Sequence, residues 1–293
     1  MTNSPLLSII IPHFNNYNII KDCLESLKKI SYSNCEIIVV DNCSNDDSYN
    51  LIKKNYNYIK LYKTEYNLGY SGGCNLGSKF ADGEYLLFLN NDTIHSSNFV
   101  EPLVDFLENN KNVACVQPKI KNYKNKKYFD YAGASGGFID YLVYPFCRGR
   151  IFDTIEQDDK QYNTNMKVFW TSGTAFITRK EIFDRVHGFD EKLFCHMEEI
   201  DYCWKSYIMG YENWIIPQSE IYHKGAQTLA HNNPYKTYLN HRNSIILLLT
   251  NFQFRRSLLT FVYRFFLEIV SSINDLIKLK PLHFIYHYKT FFF

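Results

Sequence analysis

Short apolar runs, separated by segments with helical periodicity, constrain the fold of this chain more than any other feature. Four such runs occupy residues 6–11 (LLSIII), 36–40 (EIIVV), 59–63 (IKLYK) and 84–89 (EYLLFL). Most of them are apolar almost throughout, which is typical of parallel strands buried on both faces. Helical segments are predicted between successive runs. The resulting βαβαβαβ order predicts an α/β fold with a doubly wound, mostly parallel central sheet and flanking helices.

The middle of the chain is less regular. Residues 121–165 form a polar stretch rich in Tyr and Lys, which we interpret as an insertion. A mostly apolar strand, broken by Gly173, is predicted at residues 168–178, and a shorter strand is predicted at residues 213–217.

Domain boundaries follow from these changes in pattern. The chain reads as helical from residue 235 to its end. We therefore expect one α/β domain over residues 1–250, made of halves 1–120 and 121–250, and an amphipathic helical tail over residues 251–293.

Composition excludes several classes of protein. A chain with 46% hydrophobic and 21% charged residues can bury a sizeable core. The formal net charge of +2 is too small to indicate nucleic-acid binding. No two of the eight cysteines form a C-x-x-C pair, so the cysteines indicate neither a zinc site nor a redox site.

Cysteine usage and hydropathy also bear on location. The first residues lack the basic segment and apolar run of a secretory signal, and no run reaches the roughly 18 apolar residues of a spanning helix. We expect a cytoplasmic protein with reduced, buried thiols.

Polar clusters follow three of the predicted strands, at residues 13–16, 41–47 and 90–93. In open α/β sheets, ligands bind beyond the carboxyl ends of the strands. The pattern alone therefore predicts a ligand site at this edge.

Asp92 is the first candidate at that edge. A carboxylate there can bind a hard divalent cation such as Mg²⁺ or Mn²⁺, with Asn90 adding a carbonyl oxygen. The alternative is a turn that caps a helix, and the triplet by itself favours neither interpretation.

Asp41 is the second candidate. It follows a buried strand, where its carboxylate can accept a hydrogen bond from a pyrimidine base or a ribose, although the residue taken alone favours an Asx-turn that closes the strand. The glycine-rich loop at residues 68–73 precedes a helix, so its amides can meet phosphate. It does not match G-x-G-x-x-G, which excludes the nicotinamide-cofactor fingerprint.

Glu198, Glu199 and Asp201 form the third candidate. In an apolar environment one carboxyl group acquires a raised pKa and can act as a general base. Acidic residues also suit the first turn of a helix, which is the structural alternative. His223 is a candidate metal or phosphate ligand, although a lone histidine is more often structural.

Ten short motifs run in a fixed order between about residues 6 and 245: IPHFN from residue 11, VVDNCSNDD from 39, NLGYSGGCNLG from 67, LFLNNDT from 87, WTSGT from 170, HGFDE from 187, MEEIDYCWK from 197, MGYE from 209, HKGAQT from 223 and HRNS from 241. In this combination and order the chain resembles the inverting glycosyltransferases of family 2, which have a GT-A fold. The closest resemblance is to their bacterial rhamnosyltransferase-like branch.

The resemblance implies transfer of rhamnose or another hexose from a nucleotide-diphosphate donor, dTDP- or UDP-linked, to a surface-glycan or lipid-linked acceptor. Residues 1–120 would then bind the nucleotide sugar and residues 121–250 the acceptor. Mg²⁺ or Mn²⁺ would be held by Asp92 and His223. The general base would be Glu199, with Asp201 as the substitute.

The resemblance also assigns residues to the two substrates. The donor side would comprise Pro12, His13, Asn15, Asp41, Asn67, Gly72, Asn75, Asn90 and Asn91. The acceptor side would comprise Trp170, Gly173, Glu198 and Trp204.

Two departures from the family pattern affect the predicted chemistry. Asn90-Asn91-Asp92 stands where the branch has Asn-Pro-Asp, and Glu199 stands where the family has Asp. The second change lengthens the base by one methylene. A non-catalytic sugar-nucleotide or glycan-binding partner is therefore the alternative function. A nucleotidyltransferase ranks last, because residues 11–16 lack its glycine- and basic-rich signature.

The tail mixes aromatic and basic residues, among them Arg255, Arg256, Arg264, Lys278 and Lys280. This mixture is typical of a helix at a membrane interface, so we expect contact with the inner face of the cytoplasmic membrane. A helix that folds back on the catalytic domain, or that forms a dimer contact, is the alternative.

Overall fold

The structure, a computed structural model, describes residues 4–225 and 233–291. Its strands are β1 (Leu7–His13), β2 (Cys35–Asp41), β3 (Lys60–Lys63), β4 (Tyr85–Leu89), β5 (Thr93–His95), β6 (Val113–Asn122), β7 (Gly137–Ile139), β8 (Pro145–Cys147), β9 (Arg150–Ile151), β10 (Thr154–Ile155), β11 (Met166–Val168), β12 (Ala175–Arg179) and β13 (Glu212–His223). Within the described residues nine of these strands form one sheet in the order β11-β13-β6-β12-β4-β1-β2-β3, with β5 paired to β13.

The helices flank this sheet and continue beyond it. They are α1 (Tyr17–Leu27), α2 (Ser48–Asn55), α3 (Gly69–Lys79), α4 (Glu101–Asn109), α5 (Lys180–Arg185), α6 (Glu198–Ile208), α7 (Pro234–Asn251), α8 (Phe254–Ile277) and α9 (Pro281–Lys289), with a 3₁₀ turn at Glu191–Leu193.

The central sheet is mostly parallel, as the sequence predicts. β1 pairs in parallel with β2 and β4, and β2 pairs in parallel with β3. β12 is antiparallel to both β4 and β6, which gives β6 the direction of β4, and β13 is parallel to β6. Six strands therefore run one way, and their carboxyl ends lie at one edge. The α/β prediction is confirmed.

Two apolar clusters form the core, divided largely by the faces of the sheet. One joins α1, α2 and α4 to the sheet, and the other joins α3, α5, α6 and α7 to it. Alternate residues of β1 serve the two clusters, with Ile9 and Ile11 in the first and Ile10 in the second. A strand covered on both faces must be apolar throughout, which explains the LLSIII run.

The glycine-rich segment at residues 69–73 is helical, so the prediction of a loop there was wrong. Its small residues let α3 approach the sheet closely. A Cβ added to Gly77 would lie 2.4 Å from Ile10 Cγ2, and one added to Gly73 would lie 3.1 Å from Pro12 Cβ. Close approach to β1 offsets the low helix propensity of glycine.

The strand expected at residues 168–178 is two strands, β11 and β12, separated by an irregular segment. In that segment Ser172 N donates to the side chain of Gln117, and Trp170 O accepts from Gly137 N. These bonds take the backbone out of the sheet ladder. β13 is longer than expected because a register shift between Ile216 and Glu220 accommodates Pro217.

The expected insertion contains two short hairpins, β7–β8 and β9–β10. The tail consists of two helices, α8 and α9, which pack on α7 and on each other. In the described part of the chain, no helix combines the length and the apolar character needed to cross a membrane. All eight cysteines are free thiols.

Candidate active site

The carboxyl edge of β1 and β2 brings together Asp41 and His13, which are register partners. Both side chains are buried. Asp41 Oδ1 accepts a hydrogen bond from Ser44 N at 2.9 Å, which is the turn that the sequence offered as its structural role. Its Oδ2 has no hydrogen-bond partner among the described residues. A buried carboxylate oxygen without a donor suits a base N–H or a ribose hydroxyl.

His13 is held as a neutral donor beside Asp41. Asn91 Nδ2 lies 2.8 Å from His13 Nδ1, so the amide donates and Nε2 carries the proton. Nε2 has no partner within the described residues. Burial lowers the pKa of His13 to about 4, although Asp41 and Asp46 oppose the shift. His13, Asp41 and Asn91, which the sequence predicted to bind the sugar donor, thus form one polar patch.

Asp92, His223 and Asp130 form a buried chain across the sheet. His223 Nε2 lies 3.0 Å from Asp92 Oδ1, and its Nδ1 lies 3.0 Å from Asp130 Oδ2. Burial lowers the pKa of His223, but the two carboxylates outweigh it and raise the pKa to about 10. β5 pairs with β13 through Thr93 and His223, which brings the two motifs together.

The Asp92–His223 pair fits a divalent cation. Asp92 Oδ1 is buried and accepts no well-aligned hydrogen bond from the described residues. Its 3.0 Å separation from His223 Nε2 equals about one edge of an octahedron with ligand distances of about 2.1 Å. Asp130 would then orient the histidine, as carboxylates behind metal-bound histidines do.

The N terminus of α6 presents two carboxyl groups to Gly173. Glu198 is buried and Glu199 is partly exposed. Oε2 of each lacks a hydrogen-bond partner among the described residues. Burial and the charge of Glu199 raise the pKa of Glu198 well above its usual range. Burial also raises the pKa of Glu199, against the backbone N–H groups, including that of Gly173, that donate to it.

The segment around Gly173 links these carboxyl groups to the metal-site candidates. Tyr70 Oη donates to Gly173 O at 2.6 Å, and Asn90 N donates to Thr174 O at 2.9 Å. Asn90 stands two residues before Asp92. One backbone connection therefore joins the acceptor-side candidate to the predicted cation site.

Asp201 lies away from Gly173. Its Oδ2 pairs with Lys205 at 2.5 Å, and its Oδ1 accepts from Asn251 Nδ2 at 2.8 Å. The residue is buried. These bonds tie α6 to the end of α7, so Asp201 is not positioned with Glu199.

Both predicted tryptophans lie in the core. Trp170 Nε1 donates to Phe138 O at 2.8 Å. Trp204 packs edge-on against Phe169 and Phe252. Each is at least 93% buried. Their indoles stabilise the packing of residues 121–250 rather than line an open surface.

Two of the residues predicted to bind the sugar donor make hydrogen bonds that stabilise the local fold instead. Asn75 Nδ2 donates to Phe189 O at 2.9 Å and to Glu191 Oε1 at 3.0 Å. Asn67 Oδ1 accepts from Gly69 N at 2.8 Å, at the start of α3. These bonds anchor α3. The side chain of Asn75 is occupied at both ends, because its Oδ1 also accepts from Phe189 N, whereas the exposed Asn67 uses Oδ1 alone in the bond described.

The remaining donor candidates shape the backbone around Asp41. Asn15, at φ 56°, donates from its N to Ser44 Oγ and accepts at Oδ1 from Asn45 N. Pro12 packs against α3 at Gly73. Gly72 lies inside α3, where a Cβ would lie 2.7 Å from that of Leu68.

Asp130 is the residue that the sequence did not indicate. It stands in the irregular stretch at 121–165, with no strand end or motif to mark it. Only its contact with His223 gives it a place in the site. The HKGAQT motif supplies His223, but residues 226–228 of that motif lie outside the described residues.

The chain is similar in sequence and in fold to several known proteins. Residues 8–186 match the family model described as glycosyl transferase family 2. The glycosyltransferase GlyG of Streptococcus pneumoniae is 27% identical over 190 residues, which are 63% of this chain and 60% of GlyG. The chain thus spans less than two thirds of that relative.

Two further similarities cover more of the chain. The N-acetylglucosaminyl-diphospho-decaprenol L-rhamnosyltransferase of Mycobacterium tuberculosis is 22% identical over 251 residues, which are 81% of this chain and 80% of that enzyme. The crystal structure of GalNAc-T7 with UDP, GalNAc and Mn²⁺ aligns with a TM-score of 0.65 at 17% identity, over 96% of this chain and 59% of that one. The structural likeness concerns the fold.

Proposed function

The chain belongs to glycosyltransferase family 2 and has a GT-A type fold, and we propose that it transfers a hexose from a nucleotide-diphosphate donor to a hydroxyl group of a glycan or lipid-linked acceptor, with inversion. The observation that carries this proposal is the pair Glu198–Glu199 beside Gly173, one backbone hydrogen bond from the segment that holds Asp92. A base and a cation site on one edge of the sheet are what such a transfer requires.

The donor side is assigned to the His13–Asp41 patch. Asp41 Oδ2 and His13 Nε2–H, which lack partners among the described residues, offer an acceptor and a donor of hydrogen bonds for the base and ribose. The nucleotide is dTDP, which suits a rhamnosyl donor, or UDP, which is bound in the structure of GalNAc-T7.

Asp92 and His223 would hold Mg²⁺ or Mn²⁺. When bound, the cation stabilises the negative charge of the departing diphosphate. Asp130 accepts from His223 Nδ1 and orients the ring, so that Nε2 would bind the cation in place of a proton.

Glu199 acts as the general base. Glu198 has the more strongly raised pKa and holds its proton, which leaves Glu199 as the carboxylate of the pair. The acceptor hydroxyl gives its proton to Glu199 while its oxygen bonds to the anomeric carbon. The bond from that carbon to the diphosphate oxygen breaks on the opposite face, and the nucleoside diphosphate leaves with the electron pair.

The two halves of the domain bind different substrates. Residues 1–120 bind the nucleotide sugar and residues 121–250 bind the acceptor, with the two hairpins of residues 121–165 shaping the acceptor side. Residues 251–293 form the tail, although α8 and α9 also pack on α7.

The tail contacts the inner face of the cytoplasmic membrane. α8 leaves one face apolar and exposed, with Phe254 82% and Ile277 75% accessible. Arg255, Arg256 and Lys278 flank this face and are exposed. Apolar side chains between cations suit a surface of anionic lipids. A lipid-linked acceptor, of the kind named for the mycobacterial relative, would lie at the same surface.

Nucleotide release tests the function directly. The full chain would be incubated with dTDP-rhamnose and a panel of UDP- and GDP-sugars, with Mn²⁺ or EDTA, with and without lipid-linked acceptor. We expect one donor to release its nucleoside diphosphate, and NMR of the product to show an inverted anomeric centre. Glu199→Gln should lower this turnover about 10²–10⁴-fold. Glu181→Gln, the same change at an exposed residue of α5, should retain it.

Two results would contradict the proposal. Turnover that survives in Glu199→Gln would remove the base from the mechanism. A donor that binds the protein but is never turned over, even with the acceptor present, would favour a non-catalytic binding partner.

A further inference from the structure

Three side chains of types that bind metals meet among the C-terminal helices, and none of them belongs to the site described above. His241 comes from α7, Glu268 from α8 and His287 from α9. One ligand atom of each lies within 4.8 Å of the other two. These helices pack on one another in pairs, so the cluster occupies their common junction.

The distances are those of a closely spaced ligand set. His287 Nδ1 lies 3.4 Å from Glu268 Oε2, and His241 Nδ1 lies 2.5 Å from the same oxygen. Tetrahedral zinc with ligand distances of about 2.0–2.2 Å places its ligand atoms about 3.4 Å apart. The separation between His287 Nδ1 and Glu268 Oε2 already matches this value. A shift of about 1 Å in the half-buried His241 would bring its Nδ1 to the same distance from Oε2.

Two of the three ligand atoms are buried without a well-aligned hydrogen bond. Glu268 Oε2 and His287 Nδ1 both fall in this class among the described residues. Their side chains are 1% and 2% exposed. Buried polar atoms of a native protein normally have partners, so a proton or a metal cation must lie between Glu268 Oε2 and the two imidazole nitrogens that approach it.

Neighbouring groups orient the two ligands toward the junction. His287 Nε2 lies 3.1 Å from Asp275 Oδ2, so this carboxylate favours the tautomer with the proton on Nε2 and the lone pair on Nδ1. Glu268 Oε1 accepts from Arg264 Nη2 at 3.0 Å, which leaves Oε2 for the centre. A carboxylate behind a histidine is the usual arrangement around a bound metal.

We propose that His241, Glu268 and His287 bind a divalent transition-metal cation of the zinc class, which fastens α9 to α7 and α8. Two imidazoles and one carboxylate suit Zn²⁺ better than Mg²⁺, which prefers oxygen. Three protein ligands leave a fourth position for water, and His241, at 24% exposure, stands on the side that solvent reaches. The cation joins residues 46 positions apart in the chain and closes the tail onto the domain.

Zinc binding to the full-length chain tests the site apart from the catalytic one. The protein would carry Asp92→Asn, which removes a ligand of the proposed catalytic cation, and would be stripped with EDTA. Zn²⁺ would be titrated against a chromophoric chelator, and Co²⁺ would be added in parallel. We expect one Zn²⁺ per chain and the visible absorption bands of tetrahedral Co²⁺.

His287→Ala should abolish both signals, and Glu268→Gln, which keeps the volume, should do the same. His283→Ala is the matched control, since His283 lies on α9 and bonds Thr237 of α7 outside the cluster. It should retain both signals. Asp275→Asn should weaken binding about 10–100-fold without abolishing it.

Zinc should also protect the tail from limited proteolysis in the parent and in His283→Ala, but not in His287→Ala. Absence of a Zn²⁺ equivalent in the Asp92→Asn protein would overturn the proposal. Equal Zn²⁺ binding by Glu268→Gln and the parent would do so too. In that case the cluster is an ion-pair network in which a protonated imidazole, not a metal, neutralises Glu268.

Discussion

Gly173 leaves room for the carboxyl group of Glu199: a Cβ atom on Gly173 would lie 3.4 Å from Glu199 Cδ and 3.5 Å from its Oε1. The same atom would lie 3.7 Å from Glu198 Oε1. Both contacts are at ordinary van der Waals distance, so the fold itself does not require glycine here. An acceptor hydroxyl that reaches Glu199 would occupy the space beside the carboxyl groups, and keeping that space open requires glycine at position 173.

Gly173→Ala should therefore impair transfer while leaving the fold intact. A methyl group in that space displaces the acceptor, and a misplacement of about 1 Å can cost up to about 10²-fold in rate. We expect kcat/KM for the acceptor to fall at least about tenfold, with an unchanged Tm and unchanged donor affinity by calorimetry.

Gly69→Ala provides the contrasting case. Gly69 has φ +72°, and a Cβ there would lie 2.2 Å from Phe194 O. The substitution should lower the free energy of unfolding by about 1–3 kcal/mol or more, because strain and a backbone clash combine. An equal loss of stability in both variants would show that Gly173 is structural.

The carboxyl pair predicts a specific pH profile. A general base must be ionised, so activity falls as the pH is lowered through its pKa. Burial raises the pKa of Glu199 above its usual value of 4.5. The facing groups are Glu198, Tyr70 and Cys195, and burial raises the pKa of each, which favours its neutral form. The acid limb of kcat/KM should therefore lie above pH 4.5.

Glu198→Gln separates the roles of the pair. A protonated Glu198 and a Gln are both neutral and of similar size, so this variant should keep its activity at pH 7 and its acid limb. Glu199→Gln should lose the activity. Initial rates between pH 4 and 9 measure both. An inactive Glu198→Gln with an active Glu199→Gln would reverse the assignment.

Asp130 should control metal affinity without binding the metal. Asp130→Asn removes the carboxylate that accepts from His223 Nδ1, and loss of such a partner costs about 10–100-fold in metal affinity. We expect the variant to need correspondingly more Mn²⁺ for half-maximal activity and to recover at saturating Mn²⁺. Asp153→Asn, at an exposed position of the same segment, should match the parent. Loss of activity that excess Mn²⁺ does not restore would contradict this role.

The sequence predicted the strands and the carboxylates at their carboxyl ends, because both depend on short segments of the chain. Runs such as 36–40 must be strands buried on both faces, and Asp41 and Asp92 follow strands whose carboxyl ends share an edge. The glycines of α3 led to the wrong prediction of a loop. Their low helix propensity favours a loop, but close packing against Ile10 selects a helix.

The remaining features depend on contacts between distant parts of the chain. Asp130 meets His223 across 93 positions, and neither stretch has a pattern that encodes the meeting. The sequence offered Asp201 as a substitute base for Glu199, but the helical repeat turns its side chain toward Lys205 and Asn251. His241 and His287 come together only when α9 folds back on α7.

The exposed face of α8 should bind anionic membranes. Leu259 and Phe266 are 65% and 61% exposed and stand two helical turns apart on that face. Burying a Leu or Phe side chain contributes up to about 1.5–3 kcal/mol, and each 1.4 kcal/mol is tenfold in affinity. Leu259→Gln with Phe266→Gln should therefore weaken binding to phosphatidylglycerol vesicles at least about tenfold in co-sedimentation. Phe152→Gln, at an exposed residue of the β9–β10 hairpin, should not.

Salt and lipid charge separate this interaction from self-association. Arg255 and Arg256 should each contribute about 1 kcal/mol on an anionic surface, so binding should fall in high salt and on neutral phosphatidylcholine vesicles. Sedimentation velocity without lipid provides the comparison. A stable dimer that is lost in the double variant, together with no vesicle binding by the parent, would assign this apolar face to a second copy of the chain, because the same side chains cannot be buried in both.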